Sequence, residues 1–116
     1  MQRFKDLTVW KRARDLVLRI YDATRLFPSE EKFELTRQIR RAAISICANI
    51  AEGRGRQSDR DFARFLWMAY GSANELESHL IVARDLGFLQ LLEEETLERT
   101  IDEVRRMLHG LMNSLK

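Results

Sequence analysis

A run of ten uncharged residues, 42–51, constrains this chain more than any other feature of its sequence. The run lies inside a segment with helical periodicity, whereas 33% of all residues in the chain are charged. A helix on the surface of a small globular domain is apolar on one stripe and charged on the other, so a helix without charge all round must be covered on two sides. The chain's own core covers one side, and we expect a second copy of the chain to cover the other.

Length and cysteine content bound the class of protein. The 116 residues suffice to bury a core without disulfide bonds, and we assign 1–116 to a single domain. The single cysteine, Cys47, lies in the uncharged run, which predicts a buried thiol in an intracellular protein. No apolar run is long enough to cross a membrane, and the first residues lack the apolar stretch of a signal peptide. We therefore expect a cytoplasmic protein without membrane contact.

The scarcity of proline and glycine divides the chain into four helices. One Pro and five Gly occur, and apolar residues at three- and four-residue spacing between them predict helices at about 8–26, 31–53, 59–86 and 93–115. Gly53 is expected to close the second helix in a left-handed conformation, and Ser58 to cap the third. The short connections predict an all-α fold, an up-down-up-down antiparallel four-helix bundle.

Two of these helices carry a second face without charge. On the second helix this face is nearly opposite the expected core face, and on the third it lies away from an apolar heptad seam. The expected core face is Leu35, Ile39, Ala42, Ile46 and Ile50, and the expected seam is Phe62, Leu66, Ala69, Ala73, Leu76, Leu80 and Ala83. Contiguous exposed apolar surface usually marks an interface, so we expect a homo-oligomer, with cover by the chain's own ends as the alternative. Three arginines lie beside this face on the second helix: Arg37, Arg40 and Arg41. They either pair with carboxylates of a neighbouring copy, which is the interpretation that we favour, or contact phosphates. The expected interface residues are Phe33, Arg37, Arg41, Ile44, Ala48, Ala51, Trp67, Gly71 and Ser78.

The segment 38–53 reads QIRRAAISICANIAEG, and it closely resembles the signature of the four-helix bundle proteins first noticed as products of intervening sequences in bacterial 23S rRNA genes. The likeness covers nearly the whole chain and includes FKDLTVW at 4–10, LFP at 26–28 and AYGSANEL at 69–76. The family is also similar to the accessory protein of diversity-generating retroelements, a five-membered ring of bundles that binds nucleic acid and a reverse transcriptase. The resemblance therefore implies a ring-shaped homopentamer. Cys47 departs from the family, which usually has Pro there.

Positive charge is concentrated in the first part of the chain. Residues 1–66 carry 15 Lys and Arg against 9 Asp and Glu, whereas residues 67–116 carry 5 against 9. In an alternating bundle one end gathers the basic residues and the other gathers glutamates. Repeated around a ring, the basic end would attract polyanions, and we expect it to bind structured RNA or an RNA–protein complex. The candidate nucleic-acid-binding residues are Arg3, Lys5, Arg54, Arg56 and Arg60, with Lys116 at the same end.

The segment 53–58, GRGRQS, is the most site-like part of this basic end. Two glycines spaced by arginines before a helix N-terminus can hold a phosphate through backbone N–H groups and guanidinium groups. Alternatively, Arg54 and Arg56 offset the negative end of the second helix and pair with Glu52, Asp59 or Asp61. Both interpretations stay open, and so does a second function, a protein-interaction scaffold without any role in nucleic-acid binding.

Catalytic and metal-binding patterns are missing from the sequence. His79 and His109 are too far apart along the expected bundle to share a metal, and no phosphate loop, serine elbow or paired cysteine motif occurs. We expect no enzyme activity, no cofactor and no metal. Four polar residues on mostly apolar helices are expected to satisfy hydrogen bonds between helices, with a small polar pocket as the alternative. These residues are Asn49, Glu52, Ser72 and Glu75.

Overall fold

Four long helices make up most of the chain. The computed structural model describes residues 2–115, so Lys116, expected at the basic end, lies outside the described residues. Helix α1 spans Thr8–Thr24, α2 Leu35–Arg54, α3 Asp59–Asp85 and α4 Leu91–Ser114, and single 3₁₀ turns at Phe4–Asp6 and Ser29–Glu31 precede α1 and α2. No strand occurs within 2–115, so the all-α four-helix prediction is confirmed.

Side chains that pair across neighbouring helices show how the helices are arranged. Between α2 and α3 the pairs are Arg41 with Glu75 and Ser45 with Ser72, and between α3 and α4 they are Glu77 with Arg105 and Arg84 with Glu94. In both cases the residue numbers rise along one helix as they fall along the other, so these neighbours run in opposite directions. Arg12 on α1 also pairs with Glu103 on α4. The bundle measures 43 × 24 × 20 Å. No helix in the described part of the chain combines the length and the apolar character needed to cross a membrane.

The core is formed by one face of each helix. On α3 the whole predicted heptad seam is buried, and on α2 the predicted core face is buried from Ile39 to Ile50. Burying these apolar side chains is the main source of stability of such a bundle. The seam residues are Phe62, Leu66, Ala69, Ala73, Leu76, Leu80 and Ala83.

The helix starts agree with the sequence for α1 and α3 and differ for α2 and α4. Ser58 caps α3, since its Oγ accepts a hydrogen bond from the Asp61 backbone N–H at 3.1 Å. Helix α2 begins at Leu35 rather than near 31, because the 3₁₀ turn intervenes and a Glu31 side-chain oxygen accepts from the Leu35 N–H at 3.3 Å. Helix α4 begins at Leu91, two residues before the expected start.

Gly53 does not have the conformation expected of it. Within 2–115 the one residue with a positive φ is Gly87, at 84°, where α3 turns towards α4. Gly53 lies buried inside α2, which continues to Arg54. A Cβ atom at Gly53 would lie 2.6 Å from the Phe65 Cβ and 3.1 Å from a Phe62 ring carbon. The prediction of a left-handed helix end was therefore wrong, and Gly53 is needed because α3 approaches the α2 backbone closely.

We expect Gly53→Ala to destabilise the protein by about 1–3 kcal/mol, the usual cost of overpacking, because neither phenylalanine can move without disturbing the core. The matched control is Gly110→Ala in α4, where an added Cβ meets nothing within 4 Å. That change should stabilise the protein by up to ~1 kcal/mol through helix propensity. Urea unfolding of both variants measures the difference, and equal stability of the two would contradict the close approach.

Candidate nucleic-acid interface

The 3₁₀ turn at Phe4–Asp6 brings the N-terminal segment against the end of α2. Arg3 and Phe4 line a shallow hollow of ≈ 230 Å³ together with Ala51, Arg54 and Gly55. The guanidinium carbon of Arg54 lies 5.6 Å from the centre of the Phe62 ring, and its Nε is buried without a hydrogen-bond partner among the described residues. Two of the predicted nucleic-acid-binding arginines, Arg3 and Arg54, are thus brought together.

Arg56 is held by its own chain. Its Nη2 donates to a Glu52 side-chain oxygen at 2.9 Å, its Nε lies 4.0 Å from an Asp61 oxygen, and its guanidinium stacks over the Phe65 ring at 4.6 Å. For this residue the structure favours the interpretation that it offsets the end of α2 and pairs locally. Within 2–115, in contrast, no ion pair involves Arg3, Lys5, Arg54 or Arg60.

Trp67 is the centre of a second group of cationic and aromatic side chains. It is 54% exposed and packs edge-on against Tyr70 and His109, at 5.6 and 6.4 Å between ring centres. It borders one hollow with Arg60, Arg64 and the carboxylate of Asp61, and another with Arg105, Arg106, His109 and the carboxylate of Asp102. Sequence analysis missed Arg64 and Arg106. The helical spacing of residues 60, 64 and 67 could have indicated Arg64. Arg106 lies on α4, and its place near Trp67 depends on how α3 and α4 pair.

The predicted interface residues are open to the surface. Phe33 is 73% exposed and Ile44 44% exposed, while Ala51 is half-buried. No segment within 2–115 covers this surface, which removes the alternative of cover by the described chain itself. Arg41 reaches a carboxylate of its own chain, Glu75 on α3. The other expected interface residues, also exposed, are Arg37, Ala48, Trp67, Gly71 and Ser78.

A hollow of ≈ 480 Å³ lies between α1 and the start of α2, and we call it the basic hollow. Arg40 is fixed at its floor, since its guanidinium stacks over the Tyr21 ring at 4.5 Å and its Nε donates to Thr24 Oγ1 at 2.9 Å. No carboxylate lines it. The lining side chains used below are Tyr21, Lys32, Phe33, Arg37, Arg40 and Ile44.

The four polar residues expected to act between helices all have hydrogen-bond partners. The hydroxyls of Ser45 and Ser72 lie 2.8 Å apart across α2 and α3, and Asn49 donates to the Ser45 carbonyl at 2.9 Å. Glu75 accepts from Arg41 and lies 3.2 Å from His79, while Glu52 accepts from Arg56. Ser72 and Glu75 therefore connect α3 to α2 as expected, whereas Asn49 and Glu52 bond within α2 and the turn that follows it.

Carboxyl groups also gather between α3 and α4. Glu94 is 1% exposed, and its Oε1 accepts from Arg84 at 2.8 Å. Burial, together with the neighbouring Glu77 and Glu94, raises the pKa of Glu98 to about 7. A hydrogen bond from Arg105 lowers the pKa of Glu77. No set of three His, Cys, Asp or Glu side chains within the described residues is arranged to hold a metal ion.

Cys47 is not placed as a nucleophile. Burial raises the pKa of its thiol to about 11, so the reactive thiolate is disfavoured at neutral pH. The four long helices make the chain an all-α four-helix bundle.

The chain belongs to the family described as 23S rRNA-intervening sequence protein, which it matches over residues 5–110. It is also similar to the crystal structure of a protein of unknown function from the S23 ribosomal protein family of Bacteroides thetaiotaomicron. The TM-score is 0.81 at 26% identity, and the match covers 90% of this chain and 98% of that one. No curated protein matches the chain. The family relationship inferred from the sequence is thus confirmed.

The raised pKa of Glu98 predicts how the stability of the fold depends on pH. Because its pKa is raised in the folded state, the folded protein binds more protons than the unfolded chain between pH 4.5 and about 7, and stability should fall as pH rises through this window. Glu77, whose pKa is lowered, acts in the opposite sense and at more acidic pH. Glu98→Gln should flatten the decline in urea midpoint between pH 5 and 7.5. The control Glu30→Gln, at an exposed position in a 3₁₀ turn, should retain it; an unchanged slope in Glu98→Gln would refute the assignment.

Proposed function

We propose that this protein is a non-enzymatic, ring-forming homo-oligomer, with five copies as the favoured number, that binds nucleic acid through its basic end. The expected ligand is structured RNA or an RNA–protein complex in the cytoplasm. The observation that carries the proposal is the juxtaposition of Arg3 and Arg54 around one hollow at the end of the bundle. Neither arginine forms an ion pair with a side chain within 2–115, so both are available to phosphates.

The chemistry of these groups suits a phosphate backbone. A guanidinium group donates several hydrogen bonds in a fixed plane and matches the oxygens of a phosphate. Lys5 and Arg60 belong to the same end and are exposed, and Arg56 supports them by holding the end of α2 rather than by contacting the ligand itself. In a ring whose copies share one orientation, these cations repeat around the axis and form a single basic surface.

The oligomer is supported by the second faces of α2 and α3. Ile44 and Trp67 are large apolar side chains at the surface, and Ala48, Gly71 and Ser78 add exposed area without charge. Exposed apolar surface of this kind often marks an interface, and we assign it to contacts between copies.

A protein-interaction scaffold is the second candidate function. It is favoured by exposed apolar side chains at the end of the bundle opposite the basic end, among them Leu26 at 92% exposure. A partner protein that buried this end would bind with little sensitivity to salt, whereas nucleic-acid binding weakens steeply as salt is added.

The decisive experiment measures absolute mass by light scattering and then the affinity of the same peak for a structured RNA at low and moderate salt. We expect an oligomer whose RNA affinity falls with salt. Arg3→Glu/Arg54→Glu should weaken binding, and each lost phosphate contact should lower the salt slope by about 1. The matched control is Arg14→Glu/Arg25→Glu, two exposed positions in α1 and directly after it that line neither the hollow at the basic end nor the basic hollow, which should bind more tightly than the test variant.

Each alternative result has a clear meaning. An oligomer with no salt-sensitive RNA affinity would overturn the nucleic-acid proposal and favour the scaffold. Equal loss of binding in the test and control variants would show that net charge, not the hollow, carries the affinity. A monomer would overturn both candidate functions in the forms given above.

A further inference from the structure

Exposed apolar side chains gather at the end of the bundle opposite the basic end. Of eleven large apolar side chains that are exposed in the described chain, five lie in the two helix connections there or in the first turn of α4. Phe33 is 73% and Leu92 72% exposed. Patches of this kind need a partner surface. The five residues are Leu26, Phe33, Leu86, Leu91 and Leu92.

The basic hollow supplies one half of a complementary pair. Phe33 and Ile44 give it apolar surface, and Lys32 and Arg37 give it cations that form no ion pair within 2–115. The nearby carboxylate of Glu31 does not line the hollow and forms no ion pair with these cations within 2–115; it accepts the Leu35 N–H at the start of α2. The hollow therefore calls for a ligand that is both acidic and apolar.

The first turn of α4 supplies the other half. Leu91 and Leu92 are exposed next to Glu93 and Glu95, which are exposed and form no ion pair in the described structure. Glu94, between them, turns into the bundle and binds Arg84, so it fixes this turn without taking part in its outer surface. We call Leu91, Leu92, Glu93 and Glu95 the acidic turn.

We infer that the acidic turn of one copy binds in the basic hollow of the next. The inference rests on the proposed homo-oligomer and names its contact. Both surfaces lie at the same end of the bundle, since α2 and α4 start there, but on different sides. Tyr21 and Arg40 line the groove between α1 and α2, whereas Leu92 and Glu93 line the groove between α1 and α4. A head-to-tail contact between two different surfaces at one level keeps all copies in one orientation and closes into a ring when the rotation permits.

Charge exchange tests this contact directly. Lys32→Glu/Arg37→Glu places an acidic hollow opposite an acidic turn, and Glu93→Lys/Glu95→Lys places a basic turn opposite a basic hollow. Like charges facing each other are strongly unfavourable, so each double variant should raise the concentration for half-assembly by about a hundredfold. The quadruple variant, which exchanges both signs in one chain, should restore assembly towards that of the unmodified protein.

Light scattering across a dilution series measures assembly, and circular dichroism verifies that each variant is folded. Lys11→Glu/Arg14→Glu, two exposed positions in the first half of α1 that line neither groove, controls for the change in net charge and should assemble normally. Restoration in the quadruple variant cannot come from damage to the fold, because a destabilised chain would be damaged further by two more substitutions.

The failure of this contact and the failure of the oligomer are distinguishable. If the unmodified protein is a monomer, the proposed oligomer is wrong and the contact falls with it. If the protein assembles and the double variants assemble equally well, the oligomer stands and the contact is wrong. If Lys32→Glu/Arg37→Glu keeps its mass but loses affinity for RNA, the hollow binds a polyanion rather than a second copy, which also overturns the inference.

Discussion

The close packing of α2 against α3 determines which surfaces the rest of the molecule presents. Gly53 has no side chain where Phe65 crosses it, and small residues such as Ala43 and Ala73 are fully buried. Small side chains let two helix backbones approach, and close-packed interiors tolerate little added volume. With the core faces of α2 and α3 fixed in this way, Ser45 meets Ser72 at the edge of the contact. The second faces of both helices then lie outside the core, where the proposed oligomer would cover them.

Local pairing decides which charges can act on a ligand. Arg56, Arg84 and Arg105 all bind carboxylates of their own chain, so they contribute to connecting elements rather than to an outward field. Ion pairs at exposed positions add little stability by themselves, but they neutralise the field that a ligand would meet. The surplus of positive charge in residues 1–66 is reduced in the same way, because Arg12 and Arg41 pair with carboxylates from outside that range, Glu103 and Glu75. The cations that form no ion pair within 2–115 include Arg3 at the basic end and Arg37 in the basic hollow.

Periodicity predicted the fold well because it reports burial directly. Every residue of the predicted seam on α3 is buried, and Trp67, placed on the opposite face, is exposed. The errors arose where a residue depends on a partner distant in the sequence. Gly53 was interpreted from its position near a helix end, although the approach of Phe65 explains it. Arg106 was missed because only the pairing of α3 with α4 brings it near Trp67.

The candidate sites were predicted less completely than the fold for the same reason. The sequence placed Arg3 and Arg54 at one end, and the structure brings both to one hollow. It could not distinguish Arg54 from Arg56, because that distinction depends on side-chain geometry: Glu52 lies one turn before Arg56, and Asp61 approaches it from α3. The sequence named Glu52 and Asp61 as candidate partners but could not show that Arg56 takes both of them rather than Arg54.

The two ends of the bundle have different roles in the proposed assembly, and those roles depend on each other. One copy offers few unpaired cations, and Arg3, Lys5, Arg54 and Arg60 alone would bind a polyanion weakly at physiological salt. A ring joined through the opposite end, acidic turn to basic hollow, leaves every basic end open and on the same side. Contacts that are weak singly then act together on one nucleic acid, because after the first contact the others are intramolecular. In the proposed assembly, contact at the end opposite the basic end is thus the physical condition for useful affinity at the basic end. A variant that blocks assembly should therefore lose RNA affinity without any change to a phosphate-binding residue.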